Sequence, residues 1–224
     1  MSFSIAVDGP AGAGKSTISK KIAEKNNLIY IDTGAMYRAC ALKALRSGIS
    51  CSDPDSVEKM IKDTQISFIG HKAAERKIYL DGEDVSGLIR SPEVSRGASD
   101  ISALASVRIS MVDLQRAMAE GNDVILDGRD IGTYVLPDAD LKIYLTASVE
   151  ERARRRLDEM QSKGDFSATM EEVRKDIEYR DYNDSHRELA PLRKADDAVE
   201  IDTTGLSIEQ VVESVSALMA KRCL

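Results

Sequence analysis

Chemistry is most legible in the run Gly9-Pro10-Ala11-Gly12-Ala13-Gly14-Lys15-Ser16, with Thr17 behind it. The run fits G-x-x-x-x-G-K-[ST] in full. Glycines let successive backbone N–H groups point into one concavity, and a helix N-terminus adds partial positive charge; both favour phosphate oxygens. Lys15 can reach the β- and γ-phosphates, the Ser16 hydroxyl suits Mg²⁺, and Thr17 can donate to a phosphate one step back. A bare glycine-rich turn capping a helix would share the pattern. The apolar strand signal before it and the helix signal after it favour a nucleoside triphosphate instead.

A second group of residues narrows the reaction. The apolar run Val124-Ile125-Leu126 ends in Asp127-Gly128-Arg129-Asp130, an acid suited to Mg²⁺ followed by an arginine that suggests another anion nearby. No N-K-x-D reader of a guanine base is present; Arg193-Lys194-Ala195-Asp196 lacks the asparagine. Of 17 Arg, eight fall in residues 152–193. Arg152, Arg155 and Arg156 are spaced to share one helical face, and so are Arg180, Asp184 and Arg187. Acids are as numerous as bases over that stretch, so a solvated surface of exchanging ion pairs is the competing reading. Arginine is the better grip for phosphate, and two arginine-bearing helices joined at Lys163-Gly164-Asp165 resemble a lid. Phosphoryl transfer needs such parts: alignment and positive charge, with little covalent chemistry by the protein.

The elements that must hold these groups alternate. Phe3–Val7 reads as a buried strand, Ser16–Lys25 as a helix, and Leu28–Ile31 as a strand. A helix then starts at Asp32-Thr33-Gly34, with Met36, Ala39, Cys40, Leu42 and Leu45 on its inner face and Gly48 past its end. That is the rhythm of a parallel sheet with helices on its faces. Residues 66–69 and 77–80 are strand-like and adjacent, Asp81-Gly82-Glu83-Asp84 is a turn, and Val85 starts a third short strand. Residues 66–88 thus form a small antiparallel insertion. A long helix is expected over Ser102–Ala119. Strands follow at Val124–Leu126, Leu141–Leu145 and Ala198–Ile201, with helices at about 149–161 and 168–187 and over Ile208–Met219.

Composition sets bounds. At 224 residues, with 42% hydrophobic and 31% charged residues, the chain suits one soluble globular domain. Its net charge of −7 and lack of Trp disfavour general nucleic-acid binding, though not a local basic pocket. Three cysteines without C-x-x-C or Cys/His clustering disfavour a disulfide framework and a structural zinc. No stretch approaches a membrane span, and the N-terminus lacks a targeting pattern, so the cytoplasm is the expected location; no heptad or long apolar edge suggests assembly, so a monomer is the expected state. Cys40 is expected to pack in a helix face; His71 is expected to be exposed, and neither it nor His186 is given a catalytic role.

The sequence resembles the bacterial cytidylate kinase family, among the nucleoside-monophosphate kinases, over nearly its whole length. The motifs are 5–17, Tyr-Ile-Asp-Thr-Gly-Ala-Met-Tyr-Arg (30–38), Leu-Asp-Gly-Glu-Asp-Val-Ser (80–86), Ile-Leu-Asp-Gly-Arg-Asp-Ile-Gly-Thr (125–133), Ala-Pro-Leu (190–192) and Ala-Asp-Asp-Ala (195–198). The resemblance implies an α/β P-loop fold: a parallel sheet flanked by helices, a small antiparallel β insertion in the monophosphate-binding region, and a helical lid. It divides the single domain into a core of about 1–50 and 97–224, an insertion of about 60–96, and a lid of about 150–187. It implies transfer of the ATP γ-phosphoryl to CMP or dCMP with Mg²⁺, the nucleotides being the partners, and neither nucleic acid nor membrane.

Residue by residue, the resemblance gives ATP the backbone and side chains of Gly9, Pro10, Ala11, Gly12, Ala13, Gly14, Lys15, Ser16 and Thr17, with Ser16 at the metal. It puts Thr33, Tyr37, Arg38, Arg129 and Arg187 around the acceptor phosphate, Ser99, Arg108 and Asp130 at cytosine, and Arg180 with Asp184 at the sugar. Lys15, Arg129, Arg152 and Arg156 are expected at the transferring phosphoryl. Among Arg152, Arg154, Arg155 and Arg156, spacing lets at most two or three face one way. Cytosine offers acceptors at N3 and O2 to an arginine and a donor at N4 to a carboxylate; uracil has a carbonyl in place of that amine. The alternatives are another P-loop kinase, for a different monophosphate or a small metabolite such as shikimate, and a nucleotide-gated binding protein with little turnover.

Overall fold

The computed structural model describes residues 2–70 and 76–222; His71 lies outside the described residues. In chain order the elements are β1 (Ser4–Asp8), α1 (Lys15–Asn26), β2 (Ile29–Asp32), α2 (Thr33–Arg46), α3 (Pro54–Lys62), β3 (Ile66–Ile69), β4 (Lys77–Leu80) and β5 (Glu83–Asp84). They continue through α4 (Pro92–Ile101), α5 (Ala105–Ala119), β6 (Val124–Asp127), β7 (Leu141–Thr146), α6 (Val149–Ser162), α7 (Met170–His186), β8 (Val199–Asp202) and α8 (Ile208–Arg222).

Five strands form one parallel sheet in the order β2-β6-β1-β7-β8. The central strands are apolar runs rather than alternating ones, because helices cover both faces. On one face Ile18, Ile22, Val211 and Val215 of α1 and α8 pack on Ile5, Val7 and Ile143. On the other, Met36, Ala39, Cys40, Val107 and Met111 of α2 and α5 pack on Ala6, Ile31 and Leu126. Each such aliphatic side chain contributes about 1.5–3 kcal/mol by leaving water. Cys40 is fully buried, its Sγ 3.7 Å from Met111 Sδ, and burial pushes its thiol up to about 12. Helices α6 and α7 share a small cluster of their own, Ala153, Met160, Val173 and Ile177. Among the described residues no helix is long and apolar enough to cross a membrane.

A second sheet, antiparallel and ordered β3-β4-β5, leans on the α2 side of the core. Its third strand is Glu83–Asp84, read from sequence as part of a turn, and not a strand from Val85. Asp81 and Gly82 alone make the left-handed turn, and Val85 plugs the core beneath it with no exposure. The long helix expected from Ser102 is also corrected. Helix α4 ends at Ile101 and α5 begins at Ala105, with neither Gly nor Pro between them. The Ser102 hydroxyl donates to Ser99 O at 2.9 Å, and the Arg108 guanidinium reaches back to Ser102 O at 3.3 Å, so side chains satisfy the broken backbone ladder.

Candidate active site

Strand β1 delivers the chain into the phosphate loop at the sheet's centre. Gly9 is obligatory there: a Cβ would meet Leu145 O at 1.9 Å, and its φ of +144° suits glycine. Asp8 closes the strand by accepting from the amides of Ile131 and Gly132 at 2.8 Å each; burial outweighs those bonds and pushes its carboxyl up to about 6. Gly14, at φ +89°, caps α1 with no side-chain bond, which leaves the first-turn amides free to face a ligand.

The loop borders an open cleft of about 670 Å³, to which Ala11, Gly12, Ala13, Gly14, Lys15, Ser16 and Thr17 all contribute. Gly9 and Pro10 lie beneath it, buried, and their carbonyls accept from Lys15 Nζ at 2.7 and 2.8 Å. Burial, then the nearby Arg129 charge, hold that ammonium well below its ordinary value. The Ser16 hydroxyl donates to Asp127 Oδ2 at 2.5 Å, and the Tyr30 hydroxyl donates to Asp127 Oδ1 at 3.1 Å. Burial and the neighbouring Asp32 charge push Asp127 up to about 6.

The other end of the cleft is an ionic lattice. The Thr33 hydroxyl donates to Asp127 O at 2.7 Å, and Tyr37 lies beside it, its phenol pushed up to about 12 chiefly by burial. Arg38 donates to both carboxylate oxygens of Asp32 at 3.1 and 3.2 Å, while Asp32 also caps α2 through Ala35 N. Arg129 Nε meets Asp184 Oδ2 at 2.7 Å. Burial works against that guanidinium, but the Asp184 charge wins and raises it above its ordinary value. Asp130 accepts from Arg187 at 3.0 Å and from Arg108. Arg180 borders the cleft with its buried Nε unpartnered, and Ser99 Oγ is unpartnered there too.

Two expected residues sit elsewhere than the sequence suggested. Arg108 has no exposure and does not border the cleft; it stands behind Asp130 and over the Tyr37 ring, 5.7 Å from its centroid. Arg152 is buried as well. It donates to Ala147 O, to Ala11 O at 3.0 Å and to Asp181 Oδ2 at 2.6 Å, so it braces the phosphate loop against α6 and α7. Arg154, Arg155 and Arg156 do border the cleft, Arg155 through Thr203 and Arg156 beside Glu159. Exposed His186 stacks on Tyr182 and its Nδ1 contacts Tyr182 O and Ser185 Oγ, outside the cleft.

Sequence reasoning missed Asp32 as the anchor of Arg38, Tyr30 as a donor to Asp127, and Thr203, whose hydroxyl contacts Ala13 O at 3.3 Å. Asp32 carried a legible signal, a short polar side chain at a strand-to-helix junction. Thr203 carried none, since its partner is 190 residues away.

A glycine-rich loop leaving the central strand of a parallel sheet, facing a second cationic end across one cleft, defines a P-loop kinase. The sequence pattern of the family described as cytidylate kinase matches residues 5–221. The cytidylate kinase of Lactobacillus johnsonii is 50% identical over 218 residues, covering 97% of this chain and 94% of its own length. That of Desulfitobacterium hafniense is 53% identical over 214 residues, covering 96% and 91%. Among solved structures, an uncharacterized protein from Eubacterium ventriosum aligns over 99% of both chains with a TM-score of 0.53 at 12% identity, a likeness of fold alone. The chain belongs to the cytidylate kinase family.

Proposed function

We propose that the enzyme transfers the γ-phosphoryl of ATP to CMP and dCMP, giving CDP and dCDP by direct in-line displacement. One observation carries this reading: a single cleft joins a backbone-built phosphate loop to a separate end lined by Arg38, Arg129, Arg180 and Arg187. An acceptor phosphate oxygen attacks the γ-phosphorus as the bond to ADP breaks. That oxygen is already anionic, so no general base is required. Residues 9–17 hold ATP, and Lys15 supplies charge at the transferring group. Thr33, Tyr37, Arg38, Arg129 and Arg187 hold the acceptor phosphate, and Arg180 with Asp184 the sugar. At cytosine Ser99 and Asp130 do the reading, with Arg108 fixing Asp130 from behind. Arg156 serves the lid of about 150–187, closing on a core of about 1–50 and 97–224 with an insertion of about 60–96.

Ser16 and Asp127 would hold Mg²⁺. They present two hard oxygens at the phosphate loop, which suits an ion that keeps waters and shares substrate phosphates. Among the described residues no cluster of three His, Cys, Asp or Glu offers a closed cage, as such an ion requires none. Bound there, the ion offsets charge on the phosphates. A monomeric, cytoplasmic enzyme that engages neither nucleic acid nor membrane completes the proposal.

The test is ADP release from Mg-ATP with CMP, dCMP, UMP, AMP, GMP and shikimate as separate acceptors. Preference for CMP and dCMP is expected. Turnover with another acceptor would keep a P-loop kinase but remove Asp130 as the cytosine reader, and no acceptor-stimulated turnover would leave a binding protein.

A further inference from the structure

A second cavity adjoins the cleft, sharing Asp32 and Arg90 with it, where α1 and β2 of the core meet the small sheet. It is bordered by Lys20, Tyr30, Asp32, Phe68, Arg76 and Arg90. Its cations are set apart by bordering one space. The net charge is −7, and most arginines and lysines have a carboxylate partner. Among the described residues Lys20, Arg76 and Arg90 enter no ion pair, yet they border one space. Asp32, the one acid among the described residues there, is bonded to Arg38 and the Ala35 amide and also feels the charges of Arg90 and Lys20.

Two of the cations are held by rings. The Arg76 guanidinium stacks 5.2 Å from the Phe68 centroid, and Lys20 Nζ lies 5.7 Å from that of Tyr30. Stacking fixes a guanidinium through its face and leaves its N–H edge to donate. The buried Arg76 Nε has no partner among the described residues. Among the described residues three cations share one carboxylate there, which Arg38 also holds, so positive charge exceeds negative and favours an anion over water.

We propose that this cavity binds a free tetrahedral oxyanion of the phosphate class, held between Lys20, Arg76 and Arg90. The space suits a small ion. The space is about 50 Å³, more than the ~10–15 Å³ a water needs and far below the ~300 Å³ of the smallest drug-like pockets. A bound ion ties the small sheet to the core and fixes Arg90, which borders the cleft on its other side. Phosphate would therefore act on the position of the insertion without entering the reaction.

The experiment is a calorimetric titration of orthophosphate into the whole chain, at constant ionic strength, with the cleft first saturated with ADP and CMP. Wild type is expected to show one residual phosphate site. The K20Q/R76Q variant is expected to bind it roughly tenfold or more weakly, with unchanged ADP and CMP affinities and unchanged Tm in phosphate-free buffer. Equal residual binding in wild type and variant, or none in wild type once the cleft is filled, would overturn the proposal. If the variant does not fold, anomalous density from selenate between these three residues in wild-type crystals decides in its place, and its absence counts against the site. A wrong acceptor assignment shows separately, as missing CMP heat before phosphate is added.

Discussion

At one end of the cleft the polar groups belong to consecutive residues and are mostly backbone; at the other they are side chains drawn from residues as far apart as Thr33 and Arg187. The phosphate loop owes its shape to φ values that glycine tolerates and to a carbonyl wall at Leu145. The lattice end owes its shape to ion pairs such as Arg129–Asp184 and Arg187–Asp130, each guanidinium aimed by a carboxylate before any ligand is considered. A backbone site is rigid and generic, since every residue has an amide. A side-chain site can be specific, because removing one member leaves buried partners unpaired.

Lys15 supplies the charge of the backbone end at the transferring group, so K15A should have the largest effect. A loss of about 10²–10³ in kcat is expected in the ADP-release assay, about 3–4 kcal/mol at the transition state. Full turnover in K15A would remove the phosphate loop from the mechanism.

The lattice end should instead lose stability and selectivity together. D130A strands the charges of Arg108, which has no exposure, and Arg187. About 3 kcal/mol of unfolding free energy should go, measured in urea, and preference for CMP over UMP should relax. Unchanged selectivity would mean that Asp130 only supports the arginines.

Acid–base linkage separates the supports of the two ends further. The Asp8 carboxyl lies at about 6 when folded against 3.8 unfolded, so the folded state binds its proton more tightly. Its contribution is fully present below about pH 4 and is lost as pH rises through about 6. That amounts to roughly 2–3 kcal/mol, and Asp8→Asn should flatten this part of the stability curve between pH 4 and 7. An Asp8→Asn curve with the wild-type slope would assign the slope to other groups.

The smallest effect belongs to the solvated side of α6. Arg154 pairs with Glu151 and Asp158 while half exposed, so R154A should leave the urea midpoint essentially unchanged. A larger loss in kcat than in stability would place Arg154 with Arg156 at the phosphates.

The two ends also differed in how legible they were. The phosphate loop lies within nine residues and needs only its flanking strand and helix to be read. Caps at Ser148 and at Thr169 with Glu172 likewise carry local signals that match the starts of α6 and α7. The shared face of Arg152, Arg155 and Arg156 was correct in helical geometry, yet burial against Asp181 took Arg152 out of the cleft, and spacing has no knowledge of a neighbouring helix. The break at Ser102–Ala105 was hidden for the same reason, because the compensating bonds come from the Ser102 and Arg108 side chains.

The order of the main sheet governs how the chain reaches this state. Strand β1 begins at residue 4, but its two neighbours are β6 and β7, more than a hundred residues later. During synthesis the residues that become the phosphate loop emerge with no edge to join until residues 124–146 follow. Pairing at that separation is costly in chain entropy and slow. The nucleotide cradle precedes both neighbours of its strand in the sequence, and until they emerge β1 is an apolar strand with open edges that needs shielding.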